Sequence, residues 1–388
     1  MRILHSVHSL DPKGGGVAEA IRLMAKSLEN LGHQSTIITL EPLNSRIPDF
    51  GANSSTKVIS LNNQHKKYGF STKLNLWLTN NAKSFDAILI HGLWLYSSWG
   101  TYSSIKPFNI PYFILPHGML DPWFKEAHPI KHLKKCIYWN LFENKVIRNA
   151  KAILYTTEQE RLLAKQTFSR FKPKKEIVVG LGTEMPSIDK EKAKSTFLEK
   201  YPHLAQDKIL LYLGRIDNKK GIDLLLKAFN KINPAEYSLV IAGPAEDKRY
   251  RIKLESLALT HFQAKTKIFF LPMLSGELKW GALAACDAFI LPSHQENFAI
   301  TIAEALAFEK PVLTTKKVNT FHAINKHKCG FVEDDTYDGI VSLLCKWTNM
   351  NQNQKDDLIK NTRACFLDSF EINHATKRLV GAIETCLV

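Results

Sequence analysis

The apolar positions of this chain fall into short runs separated by stretches of helical period. A first run spans 3–7 and is followed by a glycine-bearing loop, Lys13-Gly14-Gly15-Gly16. Ile21, Met24, Leu28 and Leu31 then recur at three- and four-residue intervals, one face of a helix that stops at Gly32, a residue suited to a left-handed helix terminus. A β-branched run at 35–40 and apolar runs at 87–90, 112–115 and 152–155 continue the strand pattern, each running into a polar or histidine-bearing loop. Strands alternating with helices predict a parallel sheet, whose ligand crevice lies beyond the carboxyl ends of its strands. His8, His91 and His117 stand at three such ends. Each alone suits a hydrogen-bonded structural histidine; the three together point to one wall of a cleft.

Residues 172–203 carry prolines, glycines and charges with little periodicity and read as a junction. A second series follows. It has a strand at 209–213, the turn GRIDNKKG at 214–221, a helix at 222–232, and a strand at 238–241 ending in Gly243-Pro244. Further strands are expected at 268–271, 288–291 and 312–314, a helix at 299–308, and an amphipathic helix after Phe370. The expected architecture is α/β, with two doubly wound Rossmann-like domains facing across a cleft. Their expected bounds are 1–185 and 186–370, with a terminal helix at 371–388 that returns to the first domain. A length of 388 residues suits that division.

Composition narrows the setting. With 45% hydrophobic residues, no signal-type segment and no apolar run near the ~20 residues that cross a bilayer, a cytoplasmic protein is expected. Six scattered cysteines give neither a disulfide framework nor zinc-ligand spacing. The net charge of +15 is uneven, with 24 Lys and Arg against 12 Asp and Glu in 1–180, and 28 against 25 in the remainder. The first half should therefore meet something anionic. Its densest part, 123–151, has seven basic and two acidic residues interleaved with five aromatics. There Ile130, Leu133, Ile137 and Leu141 share one helical face, leaving Lys131, Lys134, Lys135 and Trp139 elsewhere. Such a segment suits a peripheral helix at the inner face of a membrane or a dock for a lipid-pyrophosphate acceptor; it equally suits a packed helix with a solvated basic face.

The chemistry concentrates in the second half. In PSHQENFAITIAEALAFEKP, Glu296 precedes a helix and Glu304 lies about two turns further along, with the free amides of Phe298, Ala299 and Ile300 between them. That order fits a ligand with a diphosphate in the middle and hydroxyls at both ends: Glu304 on a ribose diol, Glu296 on a second sugar. The pair is also open to a plainer reading, a carboxylate favouring the helix dipole and an exposed surface glutamate. Arg215 and Lys220 flank the 214–221 turn at the ligand edge of the sheet, where a guanidinium fork and an ammonium suit a diphosphate leaving group.

Gly-Arg-x4-Lys-Gly, followed by Pro-Ser-x-x-Glu-x-Phe-x5-Glu-Ala, resembles the donor domain of glycosyltransferase family 4, of GT-B architecture, retaining and bacterial exopolysaccharide-type. The opening LHSVHSLDPKGGGVAEAIRLMAKSLENLGHQSTIITL and the LPHGML loop resemble that family's first domain. The resemblance implies that Arg215 and Lys220 hold the diphosphate, that Glu304 binds the ribose, and that Glu296 contacts donor-sugar hydroxyls. It further implies that Asn297, Phe298 and Ala299 complete a phosphate cradle and that Gly15 and Gly16 approach the sugar phosphate. His117 would touch the sugar near its 6-hydroxyl, and Met273 and Gly243 would lie near the base. Asn297, Ala299 and Pro272 stand where family members often have glycine, which bears on sugar and base choice.

The activity expected from this resemblance is transfer of a hexose, glucose first, from a UDP-sugar to an oligosaccharide or lipid-linked acceptor. Anomeric configuration would be retained, with no cofactor beyond the donor. No D-x-D occurs in the sequence and no metal-ligating cluster has the right spacing, so fixed cations are expected in place of a metal. The alternative is a nucleotide-sugar epimerase of similar two-domain build. A nucleic-acid partner is not expected, because no such module is found and the carboxylates would repel a phosphate backbone. A dinucleotide dehydrogenase is disfavoured because GGGVAE lacks the last glycine of its fingerprint and Glu41 is a lone acidic signal.

Overall fold

The computed structural model describes every residue except 12–15, 43, 44, 46, 52, 53, 62–67, 260–266 and 388. It divides into two compact units, Met1–Gly182 with Ile372–Val388, and Thr183–Glu371. The chain changes unit three residues before the expected first boundary and one after the second.

Among the described residues the first unit holds seven parallel strands: β1 Arg2–Val7, β2 Gln34–Thr39, β3 Lys57–Ser60, β4 Ala87–His91, β5 Tyr112–Leu115, β6 Ala152–Tyr155 and β7 Glu176–Val178, in the order β3-β2-β1-β4-β5-β6-β7. The second holds six more: β8 Lys208–Leu213, β9 Tyr237–Ala242, β10 Ile268–Leu271, β11 Ala288–Leu291, β12 Val312–Thr315 and β13 Gly330–Glu333, in the order β10-β9-β8-β11-β12-β13. Strands buried on both faces read as continuous apolar runs, which is why these were visible in the sequence. Ile88, Leu89, Ile90 and Phe289, Ile290 are fully buried. In each sheet the winding reverses once, between β1 and β4 and between β8 and β11, and an open α/β sheet binds ligand beside that reversal.

The helix Ile372–Leu387 belongs to the first unit, where Ser27 Oγ donates to Asn373 Oδ1 at 2.8 Å and the Arg378 guanidinium donates to the Val179 carbonyl at 2.9 Å.

Two expectations need correction. The junction at 172–203 contains a helix, Lys190–Lys200, begun by Asp189, whose side chain accepts from the Glu191 and Lys192 amides. Its buried side chains are only Ala193 and Phe197, so it has almost no apolar stripe for a periodicity argument to find. Trp139, expected outside the packed face of the basic helix, is 1% exposed; its indole N–H donates to the Ser169 carbonyl at 2.9 Å, and its ring lies 4.8 Å from that of Phe168. A turn of π-helix, Trp139–Glu143, follows the helix Pro129–Tyr138 and shifts the helical phase, so a face extrapolated at constant period goes wrong there.

Candidate active site

In the second unit, the loops after β8 and β11 flank the winding reversal, and they carry the predicted cations and carboxylates. Gly221 ends the 214–221 turn with φ +63 and caps the helix Ile222–Ile232; a Cβ there would stand 2.2 Å from the Pro292 carbonyl oxygen. Glycine is therefore required both by its conformation and by the close approach of the 292–299 loop. The His294 amide donates to the Lys219 carbonyl at 2.7 Å, which ties the two loops together. This contact places the Lys220 ammonium in an ion pair with the Glu296 carboxylate. Both side chains are largely buried, at 13% and 23% exposure.

The 292–299 loop is laced to the start of the next segment. Thr314 and Thr315 hydroxyls donate to the Leu291 and Ser293 carbonyls at 2.9 and 2.5 Å, the Glu296 amide to the Lys317 carbonyl, and the Asn319 amide to the Glu296 carbonyl. Asn297 accepts from the Asn319 side chain at 3.3 Å, and Phe298 is buried against Phe370, ring centroids 5.6 Å apart.

The helix spans Ile300–Ala307, one residue shorter at each end than expected, because Ala299 adopts a left-handed conformation (φ 56) and serves as the N-cap. That backbone explains why a glycine suits the position; alanine carries a conformational cost of about 1–2 kcal/mol there. The helix start still presents its first amides beside Glu296.

Glu304 is 3% exposed, which overturns the reading of it as a surface residue. Its Oε1 accepts from the Lys279 ammonium at 2.7 Å, and Lys279 lies over the Trp280 ring at 3.8 Å. Lys279, on the helix Gly276–Ala285, was not singled out from the sequence, since a lysine beside a tryptophan carries no signal until the fold sets it against Glu304.

Arg215 is less committed. Its guanidinium is 43% exposed and stands 3.8 Å from Asp217 and 3.7 Å from Glu246, while its carbonyl accepts from the Tyr212 hydroxyl at 2.7 Å. Gly243 packs against the same turn, with no room for a Cβ, which would fall 1.8 Å from the Gly214 carbonyl oxygen. Met273, after β10, is 52% exposed.

In the first unit, Gly16 begins the helix Gly16–Asn30, and Gly15 lies outside the described residues. Glu41 turns back on the loop before them: its carboxylate accepts from the amides of Leu10 at 2.9 Å and Asp11 at 2.8 Å and from the Ser9 hydroxyl. His117 has a left-handed backbone (φ 51), and the Gly118 amide after it donates to Glu160 at 2.6 Å. His117 Nε2 lies 3.0 Å from His91 Nδ1, and His91 Nε2 lies 3.0 Å from His5 Nδ1. His5 was missed in the sequence, because a histidine inside an apolar strand looks like any interruption of it. Among the described residues no group of three or more His, Cys, Asp or Glu is gathered as for a metal ion.

Burial holds His5 and His117 down at about 4 and His91 well below its ordinary value. It pushes Glu143, whose carboxylate accepts from the Trp94 amide and Ser98 hydroxyl, up to about 7. The unfolded chain takes up protons on its histidines below about pH 6.5 while the fold keeps them neutral, so stability present above that pH is lost on acidification toward 4. For fully buried His5 the loss approaches about 1.4 kcal/mol per pH unit. Glu143 works in the opposite sense between its ordinary 4.5 and about 7, the folded state there holding a proton the unfolded state has released. Thermal melts are expected to move down between pH 6.5 and 4.5, and Glu143→Gln is expected to make the fall steeper.

Comparison with known proteins agrees with this layout. Residues 15–182 match the family described as "Glycosyl transferase 4-like domain", and residues 193–364 match "Glycosyl transferases group 1". A glycosyltransferase from Methanocaldococcus jannaschii is 32% identical over 123 residues, 31% of this chain and 30% of that protein. The capsular polysaccharide biosynthesis glycosyltransferase CapM of Staphylococcus aureus is 27% identical over 174 residues, 44% of this chain and 43% of its own. The aligned segments thus span less than half of either relative. Among solved structures, sucrose-phosphate synthase from Thermosynechococcus elongatus superposes with a TM-score of 0.79 at 17% identity, covering 99% of this chain and 98% of that one. HepE from Anabaena, solved in complex with UDP-glucose, gives a TM-score of 0.77 at 15% identity, covering 99% and 100%.

Two doubly wound parallel units, matched over their whole length by these structures, define the fold as GT-B. The chain belongs to glycosyltransferase family 4.

Proposed function

We propose that the chain transfers a hexose, glucose in the first instance, from a UDP-sugar to an oligosaccharide or lipid-linked acceptor, with retained configuration and without a metal. The observation that carries this reading is the Lys220–Glu296 pair set against the start of the Ile300–Ala307 helix, with buried Glu304 just over one turn further on. One cation, a row of free amides and two carboxylates follow the order of sugar, diphosphate and ribose in the donor. The UDP-glucose complex of HepE, similar in fold, supports the choice of donor, and CapM supports a saccharide acceptor.

In this reading, cleavage of the glycosyl-phosphate bond leaves negative charge on the diphosphate, which Lys220, Arg215 and the helix start stabilise. Asn297, Phe298 and Ala299 shape the cradle, Met273 and Gly243 border the base, Gly16 and His117 are assigned to the donor sugar, and Glu296 orients the sugar hydroxyls. The leaving phosphate oxygen takes the acceptor proton, and the acceptor attacks on the same face of the sugar.

The test is hydrolysis and transfer by the full chain over UDP-, GDP- and ADP-sugars in the presence of EDTA, with the product anomer read by NMR. Cleavage of one UDP-hexose and a retained product are expected. Strict dependence on added divalent metal, or acceptor-free conversion to an altered sugar, would overturn the reading.

The acceptor's setting is read from the helix Pro129–Tyr138 and the turn after it. Ile130, Leu133, Ile137 and Leu141 are 78%, 64%, 58% and 53% exposed, and Lys125, Lys131 and Lys134 are exposed beside them. An apolar stripe rimmed by lysines suits the surface of an anionic bilayer, to which the enzyme would bind from the cytoplasmic side. Among the described residues no helix is long and apolar enough to cross a membrane. Full-length protein is expected to co-sediment with phosphatidylglycerol vesicles and less with phosphatidylcholine ones. Ile130→Ser with Leu133→Ser should abolish this while leaving donor hydrolysis unchanged; equal binding to both vesicle types would count against the membrane surface.

A further inference from the structure

His5, His91 and His117 lie on or just after β1, β4 and β5, three neighbouring strands, and their ring nitrogens meet in a line. Their planes are nearly parallel, 14° apart in the first pair and 16° in the second. Each N···N contact needs one N–H and one lone pair. Three neutral imidazoles carry three such protons; two occupy the inner contacts, and the third must sit at one end of the line. One end is His5 Nε2, in a side chain 0% exposed and with no hydrogen-bond partner among the described residues. The other is His117 Nδ1, on a half-buried residue at the loop that follows β5.

A buried N–H with no acceptor is rarer in folded proteins than an acceptor with no donor. The third proton therefore belongs at the His117 end. His5 Nδ1–H then donates to His91 Nε2, and His91 Nδ1–H donates to His117 Nε2. His117 is left with a protonated Nδ1, since the bond made by one ring nitrogen decides the state of the other.

We propose that His5 and His91 are positioning residues that fix the tautomer of His117, so that it meets the donor sugar as an Nδ1–H donor to a ligand oxygen. The three tautomers are coupled: His117 cannot become an acceptor at Nδ1 unless both inner contacts reverse and His5 takes an unpaired N–H. The functional half of this proposal rests on the reading that His117 meets the donor; the tautomer half does not.

The experiment is long-range ¹⁵N–¹H correlation on the full chain labelled in histidine. Wild type is expected to show His117 protonated at Nδ1 and bare at Nε2. His5→Asn, which puts an amide N–H where Nδ1–H stood, should preserve that pattern. His5→Asp, which puts only acceptor oxygens against His91 Nε2, should reverse both inner contacts, shift His117 toward the Nε2–H form and lower kcat for donor cleavage by about 10- to 100-fold, the scale for outer partners of functional histidines. His5→Asn is expected to restore most of that loss. Should His5→Asp not fold, His91→Asp, with an acceptor oxygen where Nδ1–H stood, must give the same shift. A wild-type His117 protonated at Nε2, or an unchanged His117 spectrum in folded His5→Asp or His91→Asp, would overturn the proposal whether or not the chain cleaves a sugar nucleotide. A spectral shift without any change in kcat would confine the line to a structural role and overturn its functional half.

Discussion

Replacing Lys220 by alanine is expected to lower turnover of the sugar nucleotide by about 10²–10³-fold, the scale for a fixed group that stabilises charge developing on a leaving oxygen. Two effects add in the single variant, because Lys220 is also the partner of Glu296. Without it the carboxylate stands unneutralised beside the helix start, where a diphosphate would have to approach. The double variant Lys220→Ala, Glu296→Gln, measured against Glu296→Gln alone, separates them. If Lys220 only neutralises Glu296, removing the second charge recovers most of the rate; if Lys220 stabilises the leaving group, the rate stays low. The second outcome is expected, with Lys220→Arg intermediate because its planar fork keeps the charge but not the point geometry. Single-turnover release of UDP checks both, and full recovery in the double variant would remove Lys220 from the chemistry.

Glu304→Ala should produce the next largest effect, in affinity more than in rate. A charge-assisted hydrogen bond from a ribose hydroxyl to a buried carboxylate is worth roughly 1.5–3 kcal/mol, and the variant is expected to lose the equivalent of one. A fall in UDP affinity of about 10- to 100-fold is therefore expected by titration calorimetry, one tenfold step costing about 1.4 kcal/mol. The variant also leaves Lys279, 23% exposed at its side chain, without its carboxylate, so the melting temperature should drop. Lys279→Met in the same chain should return the melting temperature without returning affinity. A UDP analogue lacking both ribose hydroxyls should bind wild type and Glu304→Ala alike. Equal loss of both nucleotides in the variant would mean that Glu304 supports the fold alone.

Much of this site could be read in advance because its residues sit where a local rule places them. Lys220 and Glu296 follow buried strands in loops at the carboxyl edge of a parallel sheet, and strand, turn and helix are each signalled by their own residues. The alanine at 299 was marked only by the resemblance, which puts glycine there; its left-handed N-cap backbone came from the structure. Other features stayed hidden for equally local reasons. The helix Lys190–Lys200 buries too few side chains to show a stripe, the π-turn at Trp139–Glu143 breaks the period on which the basic face was drawn, and Lys279 and His5 have no neighbours in the sequence that give them a task.

The sequence by itself determined the alternation of strands and helices, the two units, and which loops carry cations and carboxylates, because periodicity and turn chemistry act over a few residues. Tertiary structure alone decided the partners: Lys220 with Glu296 across 76 positions, Lys279 with Glu304 across 25, and His5 with His91 across 86. It also left the apolar stripe of Pro129–Tyr138 uncovered, although its pattern is that of a packed helix. Contacts between distant segments are set by how the strands are ordered in a sheet and by what packs over each helix. Neither is encoded in the spacing of any one stretch, so the chemistry of a residue can be read from its type and place, but its ionic partner and its burial only from the fold.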